Sequence, residues 1–258
     1  MNVLVLTKRV PVTQEEELHI TGDGAIDLSG VPFRLNDWDN YAVEAALKIV
    51  EKSGGDVTAV AMGDAESDEV LRRAIAMGAK GGSLIEADVV PHDPLARARI
   101  LYNFIKKENI VFDAIFTGVQ AEDDQFAAVG GILAGMLRLS YASMVIGIDA
   151  IDGGSATVRR ELEGGLQERI NLTLPCILSI QSGINEPRYV SIMGVRKASK
   201  VERQMFKQID YQDGATPVID VVKWVYPEKK GGARMLSGEL DSQCKELIDV
   251  LKEKGVCQ

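Results

Sequence analysis

Histidine, cysteine and long apolar runs are scarce in this chain of 258 residues, and each shortage excludes a class of function. Two histidines, His19 and His92, are too few and too far apart for a metal cage or a histidine-based catalytic cluster. The three cysteines, Cys176, Cys244 and Cys257, form no CxxC pair and no metal-ligand spacing, and so few thiols suit a reducing cytoplasm. No apolar stretch approaches the roughly 18 residues needed to span a bilayer, so membrane insertion is not expected. The opening MNVLVLTKRV reads directly as a strand, without the n-region and cleavage site of a secretory leader, and cytoplasmic localisation is expected. Net charge is −9, which argues against nucleic acid or an anionic membrane surface as the main partner. Neither a Walker A loop nor GxGxxG occurs, and no Ser-His-Asp, Cys-His or paired-carboxylate arrangement is legible.

What is present is core-forming material: 46% hydrophobic and 26% charged residues, enough for a full core and far from a disordered composition. Residues 3–7 suit a central parallel strand buried on both faces. Asn36, Asp37, Trp38 and Asp39 offer an N-cap, after which Ala42, Val43, Ala46, Leu47 and Val50 share one helical face, ended by Gly54-Gly55. Residues 57–62 read as a strand. Val70, Leu71, Ala74 and Ile75 make a second helical stripe stopped at Gly78, and 83–86 a third strand. A helix opening near Pro94 carries Ala96, Ile100, Leu101, Phe104 and Ile105 inward. Residues 112–117 read as a fourth strand, followed by a helix capped by Asp123 or Asp124 with Phe126, Val129, Gly130, Leu133 and Leu137 inward. This alternation predicts an α/β, Rossmann-like parallel sheet with helices on both faces.

From 143 to 180 the rhythm changes to strands separated by turns at 152–154 and 163–165, predicting appended β-hairpins. Residues 1–200 read as one α/β domain. Beyond 200, Gly214, Pro217, Pro227 and Gly231-Gly232 break up a segment of little periodicity. Residues 201–258 therefore read as an extended arm ending in an amphipathic helix with Leu240, Cys244, Leu247, Ile248 and Leu251 on one face.

Ligands of open α/β sheets sit at strand carboxyl ends near helix N-termini. Two such ends stand out: Thr7-Lys8-Arg9-Val10-Pro11 after the first strand, and residues 117–125 after the fourth. Gly118 would allow close backbone approach, and the amides after Asp123 would open a helix able to hold a phosphate. Asp123 and Asp124 would serve as caps or as ribose partners.

Residues 158–200 read VRRELEGGLQERINLTLPCILSIQSGINEPRYVSIMGVRKASK. A charged hairpin turning at Gly164-Gly165 precedes an apolar run, 172–180, around one proline, then NEPRY at 185–189 and a basic segment. Together with LVLTKRV, NDWDNYAVEAAL, AMGDAESDEVLRRAIAMGA and TGVQAEDDQFAAVG, this resembles the electron-transfer flavoprotein β subunit over essentially the whole chain.

The resemblance implies the β subunit of a heterodimer, a non-catalytic electron carrier rather than an enzyme. Its α subunit would hold or share FAD and receive the arm and final helix. Electrons would pass from an acyl-CoA dehydrogenase-type donor to a quinone oxidoreductase-type acceptor. It implies an adenine nucleotide bound by Leu6, by Asn36, Asp37, Trp38 and Asp39, by Met62, and by Gly118, Val119, Gln120, Ala121, Glu122, Asp123, Asp124, Gln125, Phe126, Ala127, Ala128 and Val129. That nucleotide is AMP, or a second FAD in electron-bifurcating relatives. The chain lacks the Gly-Asp-Thr-Ala-Gln-Val-Gly pattern of the bifurcating type and has Val12 where an aspartate is common, which favours AMP.

The resemblance also makes residues 189–200 the partner-docking loop. Tyr189, Ile192 and Met193 are apolar contacts with Ile192 the anchor, Lys197 and Lys200 flank it, and Glu161 pairs with the α subunit's flavin domain. Arg188 would brace the loop, and Lys8, Arg9 or Thr13 would tune the flavin. Two other classes share the architecture. An adenine-nucleotide hydrolase or ligase would need a glycine-rich phosphate loop after the first strand, and a nucleotide-sensing stress protein would be shorter and lack the hairpin and arm.

Overall fold

The computed structural model describes residues 1–13, 18–152, 154–228 and 231–256; Gly153 of the expected turn and Cys257 lie outside the described residues. After β1 (Asn2–Thr7) come four short strands, β2 (Arg9–Pro11), β3 (His19–Ile20), β4 (Ile26–Asp27) and β5 (Phe33–Leu35). They pair β2 with β5 and β3 with β4 as small antiparallel ribbons. The expected alternation follows: α1 (Asp37–Ser53), β6 (Asp56–Gly63), α2 (Asp68–Met77), β7 (Gly81–Glu86), α3 (Pro94–Lys107), β8 (Ala114–Gly118) and α4 (Val129–Leu137). Then come β9 (Ser140–Asp152), β10 (Ser155–Glu161), β11 (Gln167–Thr173), β12 (Cys176–Ile180), α5 (Ile192–Ala198), β13 (Gln204–Lys207) and α6 (Leu240–Glu253).

Among the described residues nine strands form one sheet, in the order β11-β10-β9-β12-β8-β1-β6-β7-β13. All neighbours run parallel except β9 with β10 and β10 with β11, the hairpins that extend one edge. Alternate residues of the central strands feed opposite cores, as a period of two requires. Val3 and Val5 join the core under α1 and α2, whereas Leu4 and Leu6 join the one under α3 and α4. A strand buried on both faces needs a continuous apolar run, and VLVL supplies it. From β1 the chain steps outward through β6 and β7, then returns through α3 to β8 on the other flank of β1. That reversal creates the crevice in which ligands of such sheets bind.

The apolar run 172–180 is not one strand. β11 ends at Thr173 and β12 begins at Cys176, because Pro175 cannot donate to a ladder, and the Leu174–Pro175 bond is cis. Beyond residue 200, where an arm is expected, the chain first re-enters the sheet as β13 beside β7. Phe206 of β13 and Tyr211 then meet Phe104 of α3 edge-on, with ring centroids 5.0 and 5.5 Å away. Farther on, Val218 N–H donates to Asp93 (2.5 Å), Trp224 N–H to the Gly24 carbonyl (2.8 Å), and Ile20 N–H to the Tyr226 hydroxyl (3.0 Å). These bonds lay the segment along α3 and the β3–β4 ribbon. The helix α6 buries none of its residues, and Leu240, Leu247 and Ile248 are exposed.

Phe104 is fully buried and holds both aromatic partners of the returning segment. Phe104→Ala is expected to lower the unfolding free energy by about 3–5 kcal/mol in urea titrations. A loss below about 1 kcal/mol would mean that the aromatic trio does not anchor β13.

Candidate functional site

The reversal point is held by one carboxylate. Asp39, in the first turn of α1, accepts the Lys8 N–H at Oδ2 (2.8 Å) and the Gly118 N–H at Oδ1 (3.0 Å), so it clamps the ends of β1 and β8 to the helix. Burial pushes its pKa up to about 7, against the opposing hydrogen bonds from Asn36 and from the Lys8 and Gly118 amides. Asn36 sits at the N-cap position but does not cap. Its Nδ2 donates to the Gln120 carbonyl (2.9 Å) and its Oδ1 accepts from the Glu122 N–H (3.2 Å), tying the loop after β8 to α1. Glycine is required at 118 by this junction, since a Cβ there would meet Asp39 Oδ1 at 2.4 Å and Trp38 Cβ at 2.7 Å.

Above the clamp lies a cleft of about 120 Å³, far beyond the roughly 10–15 Å³ that admits one water and too large to be a packing fault. Its walls are mainly apolar, with Leu6, Val60, Met62, Leu101, Val119 and Val129 among them. Lys8 and Arg97 bring positive charge to it. Lys8 Nζ donates to Asp123 Oδ1 (2.6 Å) and Asp124 Oδ2 (2.8 Å), and Arg97 Nη1 donates to the same Asp124 oxygen (2.5 Å). Burial disfavours the Asp124 charge, but Lys8, the Phe126 amide and Arg97 together hold its carboxyl below the ordinary value. The donor set fits an adenine nucleotide, with apolar walls for a base and two cations for phosphate.

Of the residues expected to bind nucleotide, Leu6, Asn36, Asp39, Met62, Gly118, Val119, Gln120, Ala121, Asp124, Phe126, Ala127, Ala128 and Val129 line this one cleft. Asp37, Trp38, Glu122, Asp123 and Gln125 stand outside its walls. Arg34 pairs with Asp37 and Glu122, and Trp38 Nε1 donates to Gln181 Oε1 (2.9 Å). Trp38, Glu122 and Gln125 instead border a neighbouring depression with Thr13 and Tyr41. The expected capping by Asp123 or Asp124 is corrected: α4 begins only at Val129, its N-cap is Ala128, and neither aspartate caps it. Both acids are drawn off to Lys8 and Arg97, and the left-handed backbone of Gln125 (φ 53) and Ala127 (φ 51) keeps 121–128 non-helical. Phe126, expected inward on that helix, is exposed.

Arg97 is the member that sequence reasoning misses. Its one legible signal is an arginine among the apolar positions of α3, between Ala96 and Ala98, which are both buried. Arg9 is paired within the chain. It pairs with Glu66 (2.6 Å) and Glu69 (3.0 Å) and stacks over Phe33. The Cys176 thiol is buried, which pushes its pKa up to about 12 and makes it inert. Among the described residues no cluster of His, Cys, Asp and Glu is placed to hold a metal, and no helix is long and apolar enough to cross a membrane.

The 189–200 segment carries the short helix α5, capped by the Ser191 hydroxyl accepting from the Gly194 N–H (3.0 Å). Gly194 lets the helix lie close on α2, where a Cβ would sit 3.1 Å from the Ala76 carbonyl oxygen. Tyr189, Ile192 and Met193 are 88%, 72% and 80% exposed, with Lys197 and Lys200 beside them. The base is rigid. Arg188 donates through Nε to the buried Glu44 (2.7 Å) and through Nη1 to Glu51 (2.8 Å), and those hydrogen bonds raise its pKa further. Glu161 ends β10 and accepts from Gln181 Nε2 (3.3 Å), so the hairpin tip and the Trp38 side chain share one partner.

An open, mostly parallel α/β sheet with a cleft at its switch point defines a protein of the ligand-binding doubly wound class. The family described as electron transfer flavoprotein domain matches residues 23–208. The chain is 34% identical to the electron transfer flavoprotein subunit beta of Bacillus subtilis (strain 168) over 99% of both chains. It is 34% identical to the protein of that name from Methylophilus methylotrophus over 98% of both chains. Against the Homo sapiens protein the identity is 31%, over 99% of this chain and 98% of that one. This chain belongs to the electron transfer flavoprotein β-subunit family.

For Asp39 the folded pKa of about 7 exceeds the roughly 3.9 of an unfolded aspartate. Between those values the folded chain holds a proton that the unfolded chain lacks. Its contribution to stability is therefore full below about pH 4 and is lost as pH rises through about 7. A carbon-13 titration of the Asp39 carboxyl should show a midpoint near 7; one near 4 would refute it.

Proposed function

We propose that this chain is the β subunit of a heterodimeric electron-transfer flavoprotein. An α subunit holds or shares FAD, and the complex carries electrons from an acyl-CoA dehydrogenase-type donor to a quinone oxidoreductase-type acceptor. The observation that carries the reading of its own site is the cleft at the ends of β1 and β8, where apolar walls meet Lys8 and Arg97. In this reading AMP occupies the cleft. Leu6, Met62, Val119 and Val129 receive the base, and Lys8 and Arg97 receive the phosphate in place of Asp124.

The flavin, when bound, supplies the redox chemistry, and this chain's residues bind and position. The apolar wall excludes water from the nucleotide base. The Asp39 clamp fixes the loop after β8, and α5 offers the donor an apolar anchor within a basic rim, so that burial gives affinity and charge gives steering. A hydrolase or ligase has less support, because Lys8 leads straight from β1 into β2 and no glycine-rich loop follows the first strand. A second FAD in the same cleft is the alternative reading, and the bound molecules decide between them.

Acid release and quantification from the complex purified with its α subunit should give one FAD and one AMP per heterodimer. Two FADs without AMP would shift the reading to electron bifurcation, and no adenine nucleotide beyond FAD's own would remove the cleft from the account. Ile192→Ala should weaken the donor's productive encounter by about 1–2 kcal/mol, seen as slower transfer with flavin content intact. Unchanged transfer kinetics would take the anchor role from α5.

A further inference from the structure

Lys8, Arg97, Asp123 and Asp124 form a closed cluster at the cleft: two cations, two carboxylates, net charge zero. One oxygen, Asp124 Oδ2, accepts hydrogen bonds from both Lys8 Nζ (2.8 Å) and Arg97 Nη1 (2.5 Å), while Asp123 accepts another from Lys8 (2.6 Å). Among the described residues, Lys8 and Arg97 are the only lysine or arginine lining the cleft. We propose that Asp124 is a specificity-determining residue that limits the cleft to ligands carrying about two negative phosphate charges, against nucleoside di- and triphosphates.

The argument rests on the adenine-nucleotide reading above and adds a rule to it. A phosphate oxygen that replaces Asp124 Oδ2 satisfies both cations at once. Asp124 cannot then retreat far, because its Oδ1 accepts the Phe126 N–H (3.2 Å) and its loop carries the left-handed Gln125 and Ala127. Its charge stays beside the incoming phosphate. A phosphomonoester brings about two negative charges to a cluster whose own charges cancel, and each further phosphate adds roughly one more beside the Asp123 and Asp124 carboxylates, with no further lysine or arginine lining the cleft among the described residues. The pyrophosphate of a dinucleotide also carries two, so charge alone does not separate AMP from FAD. It separates both from ADP and ATP.

The test uses the complex with its α subunit, freed of exchangeable nucleotide and kept free of magnesium. Adenosine, AMP, ADP and ATP are titrated calorimetrically into the natural protein and into Asp124→Asn. ATP should bind the natural protein at least about tenfold more weakly than AMP, and Asp124→Asn should bring the two within about threefold by strengthening ATP. Raising the salt should narrow the same gap in the natural protein. Asp123→Asn should narrow it less, because Asp123 meets Lys8 alone, and this variant answers the question if Asp124→Asn does not fold. Equal binding of AMP and ATP by the natural protein, or an unchanged ratio in both variants, would overturn the proposal while leaving the nucleotide reading intact. Failure of all four compounds, adenosine included, would overturn that reading and the proposal with it.

Discussion

The Asp39 carboxylate receives amides from two strands that are far apart in sequence and adjacent in the sheet. The Lys8 and Gly118 N–H groups stand where β1 and β8 stop, and both turn to its side-chain oxygens. A buried amide without an acceptor is strongly unfavourable, so the carboxylate is required by the sheet's own geometry. Everything above it inherits its position: the loop tied by Asn36, the placement of Lys8, and the approach of Trp38 that leaves room only for glycine at 118. The cleft is thus built from the backbone upward. Its polar rim sits on that frame.

How much of this was legible in the sequence depended on the range of the interaction. Strands such as VLVL and helices with apolar stripes announce themselves by periodicity, and the Rossmann-like sheet with its appended hairpins follows from their order. Gly164-Gly165 marks its turn equally well. The short ribbons at residues 9–35 are two or three residues per strand, too short to show a period. The start of α4 is misread because Asp123 and Asp124 look like caps, whereas Lys8, more than a hundred positions away, claims both. Arg97 is hidden for the same reason, its meaning residing in a loop 27 residues on. Gly118 reads in the sequence as a point of close backbone approach, and the side chains of Trp38 and Asp39 are what crowd it.

Charge is distributed unevenly across this acidic chain. Arg9, Arg34, Arg97, Arg188 and Arg203 are all spent on internal carboxylates, which fasten loops to helices. Around α5, by contrast, Arg196, Lys197 and Lys200 face outward. A locally positive rim on a chain of net charge −9 gives an approaching acidic surface one favourable direction. The exposed apolar residues lie within that rim.

The anchoring of α5 separates the residues that hold this surface from those that display it. The segment is held from beneath, by Arg188 on a buried glutamate and by Gly194 lying close on the α2 backbone, and of the helix only Ala198 is buried. Ile192, Met193 and Val195 bear almost none of the folding load. Their replacement alters the exposed surface without loosening the domain that presents it. Point substitutions can therefore accumulate at the tip, while Arg188 and Glu44 tolerate almost none.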